Sequence, residues 1–352
     1  MTSKIIGSGN CIPSLKITNS YFNNHSFLDT NGLILKDNNY IIQKKLQLIT
    51  GISERRYANN SQVSSDLGFI AAQKAIEDAQ IDPESLDYII FAHNFGDVHH
   101  FSNQMDSVPS LAARVKNRLK IKNIFCVAYD LLFGCPGWIE AFIQANSFIK
   151  SGLAKRCLVI GAETLSRVVD EHDRDTMIYS DGAGAIVIEA TDENKGILSH
   201  ISASHTLEEL DYLYFGTSNN KDKECTNKYL KMNGRKIYEF ALTNVPSAMK
   251  MCLDKADVEI KDLKKIIIHQ ANEKMDEEIL KRFYKLYDYP IPDHIMPMVI
   301  STLGNSSVAT VPSLLSMVLH DELENHSLET GDVILLASVG AGMNINSILY
   351  KI

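Results

Sequence analysis

Residues 75–94 read AIEDAQIDPESLDYIIFAHN, and residues 253–272 read LDKADVEIKDLKKIIIHQAN. Both carry one pattern: a helix, an Asp-containing loop, a Leu, two residues and an Ile-rich strand. A second pair follows in the same order, FGCPGWIEAFIQANSFIKSG at 133–152 and LGNSSVATVPSLLSMVLHDE at 303–322. Each member has a Gly and one thiol or polar residue just before a predicted helix. A third pair is CLVIG at 157–161 and VILLA at 333–337. Three ordered matches about 170 to 178 residues apart predict a duplicated unit. The plain alternative is that any two α/β segments look alike in outline. Duplication puts the boundary in the polar stretch near Thr191–Lys195, giving units 1–192 and 193–352. Outward from these pairs, strands are predicted at 4–7, 88–93, 124–129, 157–160 and 185–190, and an amphipathic helix at 65–80. Helices alternating with mostly buried strands argue for an α/β sandwich.

The 352 residues are 45% hydrophobic and 22% charged, an ordinary globular composition, and too long for a single core. A net charge of −8 without a basic tract argues against nucleic-acid binding. MTSKIIGSGNCIPSLK lacks the regions of a secretory signal, and no run approaches eighteen apolar residues, so a soluble, cytoplasmic protein away from the membrane is expected. Cysteines 11, 126, 135, 157, 225 and 252 form no C-x-x-C and have no His at zinc spacing. They are expected to be packing residues, with one catalytic thiol as the exception to seek.

Cys135 is that candidate. Pro136 suits the first helical position and Gly152 a helix stop. A thiol at a helix N-terminus meets the positive end of the macrodipole, which favours thiolate. Gly134 and Gly137 would admit a substrate close to the backbone. A buried packing cysteine is the alternative. His269 ends the predicted strand in IIIHQAN, where functional groups and satisfied edge residues both occur. Asn305 is the duplication-equivalent of Cys135 and could face it across the junction, or merely cap its helix. Asp181-Gly182-Ala183-Gly184 is expected to turn into the next strand, and Gly340-Ala341-Gly342 could bring N–H groups near a site. Neither is a dinucleotide fingerprint. Arg114, Lys116, Arg118, Lys120 and Lys122 read as a solvated helix face.

Together these segments resemble the thiolase-fold condensing enzymes, specifically β-ketoacyl-[acyl carrier protein] synthase III. The likeness runs from KIIGSGNCIP through TGISERRYA at 50–58, residues 129–167, DRDTMIYSDGAGAIVIEA at 173–190, IIIHQAN and GNSSVATVPSLL to the terminal VGAGMNINSILY. It implies two duplicated five-stranded α/β halves in an α-β-α-β-α layered sandwich, assembled as a homodimer. It implies Cys135, His269 and Asn305 as the catalytic trio, with an oxyanion hole from the N–H groups of Cys135 and Ala341. Cys135 would carry an acyl group. His269 and Asn305 would stabilise the enolate left when a malonyl thioester on acyl carrier protein loses CO₂. No metal or redox cofactor is implied; the substrates are coenzyme A or acyl carrier protein thioesters, in fatty-acid initiation or a related pathway.

The chain also departs from the family. The Arg that stacks the adenine of coenzyme A corresponds to Arg174, but Lys45 stands where the partner Trp is usual. Asn272 matches the residue that contacts the phosphopantetheine arm, and Lys274 replaces an Arg at the carrier-docking face. Val108-Pro109-Ser110 resembles the segment that a partner subunit lends to the acyl pocket, behind a longer loop at 93–106. The acyl chain and donor stay open, as does a related condensing enzyme that makes alkyl-resorcinol-type products or transfers acyl groups without decarboxylation. A papain-like protease also orders Cys, His 134 residues on and Asn 36 beyond, but its local motif is missing. A non-catalytic partner subunit would have no need of the trio.

Overall fold

The computed structural model describes residues 2–221 and 226–352, so Cys225 lies outside the described residues. The first part of the chain runs β1 (Thr2–Cys11), β2 (Leu15–Thr18), α1 (Asn39–Thr50), β3 (Glu54–Tyr57), α2 (Ser64–Ala79) and β4 (Tyr88–Ala92). It continues through α3 (Leu111–Arg118), β5 (Val127–Leu131), α4 (Gly137–Lys150), β6 (Arg156–Thr164) and β7 (Asp181–Thr191). Then come β8 (Gly196–Ser204), β9 (Leu213–Thr217), β10 (Lys228–Met232), α5 (Gly234–Lys255), β11 (Leu263–Ile268) and α6 (Glu273–Lys285). The chain closes with α7 (Ile300–Leu303), α8 (Thr310–Leu319), β12 (Val333–Gly340) and β13 (Asn344–Lys351).

One sheet has the order β1-β7-β6-β4-β5 and a second the order β8-β13-β12-β11. In each, a parallel pair (β4 with β6, β11 with β12) is extended by two antiparallel neighbours. Over four strands the two orders match, as the repeated sequence requires, and β5 has no counterpart among the described residues. Five strands are expected in each half, and the second sheet has four. At its β11 edge the Ile295 carbonyl accepts from Ile266 N at 2.8 Å, but Pro290, Pro292 and Pro297 around it limit the donors a ladder needs.

Strand alternation sorts the apolar side chains into layers. Ile89, Phe91, Leu158 and Ile160 pack outward against α2 and α3. Ile90, Ala92, Val159 and Ile186 point inward, meeting Ile267, Ile334, Leu336 and Ile348 of the second sheet around α4 and α8. Ile266, Ile268, Leu335 and Leu349 face α5 and α6 on the far side. The layers are thus α2/α3, sheet, α4/α8, sheet, α5/α6. Each fully buried Ile or Phe contributes about 1.5–3 kcal/mol by leaving water. Among the described residues no helix is long and apolar enough to cross a membrane.

Three local expectations change. The strand predicted at 124–129 starts at Val127, because Ile124 and Phe125 lie exposed in the preceding turn. Asp181–Gly184 is not a turn but the start of β7, and a Cβ on Gly184 would stand 2.5 Å from Ser313 N of α8. The glycine there serves a close strand–helix approach. The basic residues near α3 are not simply solvated. Arg114 bonds buried Asp97 at 2.6 Å and Asp106 at 2.8 Å, Lys116 holds the carbonyls of Asn123 and Cys126, and Arg118 pairs with Asp66. Lys120 and Lys122 lie beyond the helix. Of the described cysteines, 11, 126, 157 and 252 are buried, and all are free.

Gly184→Ala should lower unfolding free energy by about 1–3 kcal/mol, the usual cost of overpacking against backbone. Urea denaturation checks this: an unchanged midpoint would mean that α8 yields to the added methyl.

Candidate active site

Cys135 and Asn305 are reached through the same kind of turn. Gly134 has φ +69° and Gly304 φ +67°, a region that a side chain resists. A Cβ on Gly340 would stand 2.5 Å from Cys135 N, and one on Gly134 would stand 2.8 Å from Ala341 N. The end of β12 and the Cys135 turn therefore meet main chain to main chain. Pro136 is not the first residue of α4 but precedes it, already right-handed at φ −70°, and the helix starts at Gly137.

His269 follows β11, its N–H donating to Ala337 O at 2.8 Å. Gln270, fully buried, donates to Pro297 O at 2.7 Å and accepts from Val299 N at 3.0 Å. It fixes the segment leading to Asn305. The Asn305 main chain is clamped by Ile178 O at 3.0 Å and Ser180 N at 2.8 Å, both from the first half.

The three side chains line one inner cavity of about 310 Å³. Phe95, Leu165, Leu213, Phe215 and Leu230 form an apolar lobe, and among the described residues no Lys, Arg, Asp or Glu lines it. The β9–β10 hairpin that supplies part of this lobe is tied down by buried Lys231, which bonds Asp170 at 2.6 Å, Asp173 at 2.9 Å and Asn219 at 3.0 Å. Arg174 follows the last of those carboxylates.

Enclosure sets the protonation states. Burial pushes the Cys135 thiol up to about 11, while a hydrogen bond from Ser307 Oγ to Sγ, 3.2 Å long, pulls it the other way. The resting group is a thiol, not the thiolate expected from the helix start; loss of water around the sulfur outweighs the dipole. Burial lowers His269 to about 4, so the imidazole is neutral at pH 7. Its Nδ1 is buried and has no hydrogen-bond partner among the described residues. A bare acceptor is the more tolerable orphan, so the proton belongs on Nε2. Asn305 Oδ1 accepts from Ser307 N at 2.9 Å, which leaves its NH₂ toward the cavity.

The family model for 3-oxoacyl-[acyl-carrier-protein] synthase III matches residues 129–205, and the model for its C-terminal part matches residues 253–352. The β-ketoacyl-[acyl-carrier-protein] synthase III of Staphylococcus haemolyticus is 33% identical over 352 residues, covering 100% of this chain and 99% of that protein. Synthase III 1 of Vibrio vulnificus is 34% identical over 353 residues, covering 100% of both. The solved synthase III of Aquifex aeolicus matches with a TM-score of 0.80 at 29% identity, covering 99% of this chain and 100% of that one. The chain belongs to the synthase III family.

Membership leaves the individual site residues to geometry. A second cavity of about 470 Å³ shares Met232, Ile237, Ala271, Met275 and Asn305 with the inner one and forms its approach. Arg174 and Asn272 line it. Asn272 also caps α6, its side-chain oxygen accepting from Met275 N at 3.1 Å. Lys274 is exposed at the start of α6 and lines neither cavity. Lys45 lies outside the approach as well, paired with Asp37 at 2.5 Å. Val108, 86% exposed, stands away from the cavities of its own chain. Sequence reasoning missed Ser307, Asn94, Glu163 and the hairpin. All three residues lay inside recognised segments, Asn94 at the end of the 75–94 repeat, Glu163 within 129–167 and Ser307 in GNSS at 304–307, but none was singled out.

With His269 lowered to about 4, its neutral form persists as pH falls until that value is approached. In an NMR titration of labelled histidine its signal should stay neutral at pH 5.5. A midpoint near 6.5, the ordinary value, would contradict the enclosure.

Proposed function

We propose that this synthase III family member condenses an acyl thioester with malonyl-acyl carrier protein, with Cys135 carrying the acyl group between two half-reactions. One observation carries the reading: a cavity with no charged side chain among the described residues holds one thiol beside two neutral hydrogen-bond donors, His269 and Asn305. In the first half-reaction Sγ bonds to the acyl carbon, the donor's C–S bond breaks, and the donor thiol leaves with the proton from Cys135. The N–H groups of Cys135 and Ala341 receive the developing oxyanion; the close approach of their two backbones supports this pairing.

In the second half-reaction the malonyl carboxylate enters a lining without a cation among the described residues. Loss of CO₂ relieves that unpaired charge and leaves its electron pair as an enolate. Nε2–H of His269 and the NH₂ of Asn305 donate to the enolate oxygen. The enolate carbon then bonds to the acyl carbon, and Cys135 leaves as thiolate and regains a proton. The product is a β-ketoacyl thioester two carbons longer. The chemistry draws on no metal or redox group.

Arg174 and Asn272 line the approach that a pantetheine arm would follow, and exposed Lys274 offers positive charge to an acidic carrier protein. β5 is an unpaired sheet edge flanked by exposed Ile124, Phe125 and Leu132. Such an edge invites pairing with a second copy, which would bring Val108 of one protomer toward the acyl lobe of the other. Sedimentation should therefore give twice the chain mass; a monomer at micromolar concentration would remove Val108 from the site.

The partial reactions test the roles. Cys135→Ser should take up no acyl group from thioesters. Asn305→Ala and His269→Ala should still acylate, yet lose about 10²–10³-fold in CO₂ release from malonyl-carrier protein, the cost typical of a removed oxyanion donor. Release at the wild-type rate by either variant would end its assignment.

A further inference from the structure

Behind the cavity lies a hydrogen-bond chain that the condensation scheme does not use. Glu163, at the end of β6, is fully buried, and its Oε1 accepts both from Asn94 N at 2.7 Å and from Asn94 Nδ2 at 2.6 Å. Asn94 Nδ2 also donates to Ser307 Oγ at 3.1 Å. Ser307 Oγ in turn lies 3.2 Å from Cys135 Sγ.

The direction of this chain follows from donor arithmetic. Glu163 fixes the Asn94 amide, because only its NH₂ can face a carboxyl oxygen that already accepts the Asn94 main-chain N–H. Of the two amide protons, one goes to Glu163 and the other to Ser307 Oγ. The serine oxygen is thereby an acceptor on that side, and its single proton is directed at the sulfur. Sγ receives a hydrogen bond, the arrangement that stabilises S⁻ as the thiol proton departs and again when the thiolate leaves the acyl carbon.

Ser307 has a second task. It sits at φ +53°, a left-handed conformation that a residue with a side chain resists. Its N–H, oriented by the preceding Ser306 at ψ +24°, donates to Asn305 Oδ1 at 2.9 Å, an Asx-type turn. The same strained residue thus aims the Asn305 NH₂ into the cavity while its hydroxyl addresses Cys135.

Resting on the reading that Cys135 is the acyl carrier, we propose that Ser307 is a positioning residue for the condensation. It is held by Asn94 on a Glu163 anchor and sets the nucleophile through its hydroxyl and the enolate donor through its N–H. Glu163 acts through its acceptor oxygen and carries no proton to or from Cys135, since an amide that donates on both sides cannot relay one.

The test uses iodoacetamide alkylation of Cys135 in the intact protein at pH 7.5 without substrate, followed by mass. Ser307→Ala keeps the N–H and loses the hydroxyl; Ser307→Gly loses the hydroxyl and also relaxes the left-handed backbone. Both should alkylate about tenfold more slowly than the unmodified sequence, the scale of one hydrogen bond to a charged group. Both should lower kcat of the condensation while leaving KM for the malonyl thioester unchanged. Glu163→Gln, which retains the acceptor oxygen, should alkylate within about threefold of the unmodified rate, whereas Glu163→Leu should fall with the serine variants. Alkylation of either serine variant at the unmodified rate would overturn the proposal, as would a Glu163→Gln variant as slow as Glu163→Leu. If the unmodified protein accepts no acyl group from any thioester, the parent reading fails, while the alkylation rates still decide whether Ser307 sets the thiol.

Discussion

The middle helical layer is the constraint on which the rest depends. Two sheets, each apolar on both faces, can both be covered only if they share α4 and α8, and those helices are the duplication-equivalents of each other. The sharing brings their N-terminal turns to one place. The Val308 carbonyl crosses β6 so closely that a Cβ on Gly161 would stand 2.7 Å from it and 3.1 Å from Trp138 of α4. Thus the turn leading to each helix, carrying a thiol in one half and an amide in the other, opens on the same cavity. His269 arrives from the end of β11, in parallel register with β12. The site is a consequence of how two copies of one unit cover each other's sheets.

Enclosure then gives the site its chemistry and its difficulty. Burial in a lining with no charged side chain among the described residues keeps His269 neutral, the form the proposed reaction needs, since an imidazolium would instead hold the malonyl carboxylate. The same lining raises Cys135 to about 11, which works against the nucleophile. The hydrogen bond from Ser307 to the sulfur offsets that opposition locally, and in the proposed reaction the N–H groups of Cys135 and Ala341, brought close by their two main chains, would receive the oxyanion. Glu163, raised to about 8 by burial, shows the cost of keeping a carboxyl beneath such a cavity, and Asn94 answers part of it with two hydrogen bonds.

The fold was largely legible because it was written twice. The repeated helix–loop–strand of residues 75–94 and 253–272 gave the layers and the matching sheet orders, and the paired Gly turns before Cys135 and Asn305 gave the junction. What escaped depends on contacts between distant residues. Gly182 and Gly184 look like turn residues until α8, some 130 residues later, is seen lying against Gly184. Pro290, Pro292 and Pro297 were visible in the sequence, yet their consequence, a missing fifth strand, needed the edge of β11 for context. The thiolate expectation rested on local helix geometry, whereas the sulfur responds to a cavity built from both halves and the β9–β10 hairpin. Asn94, Glu163 and Ser307 are joined only by tertiary hydrogen bonds, so no local spacing could have grouped them.

Intact-protein mass spectrometry tests the central claim most directly, that this shared cavity makes Cys135 an acyl carrier for a decarboxylating partner. The protein would be exposed to a panel of acyl-coenzyme A and acyl-carrier-protein thioesters, then to malonyl-carrier protein. The account predicts one acyl adduct, mapped to Cys135, that malonyl-carrier protein clears with release of CO₂. An adduct on another residue, or one on Cys135 that malonyl-carrier protein leaves in place, would contradict it.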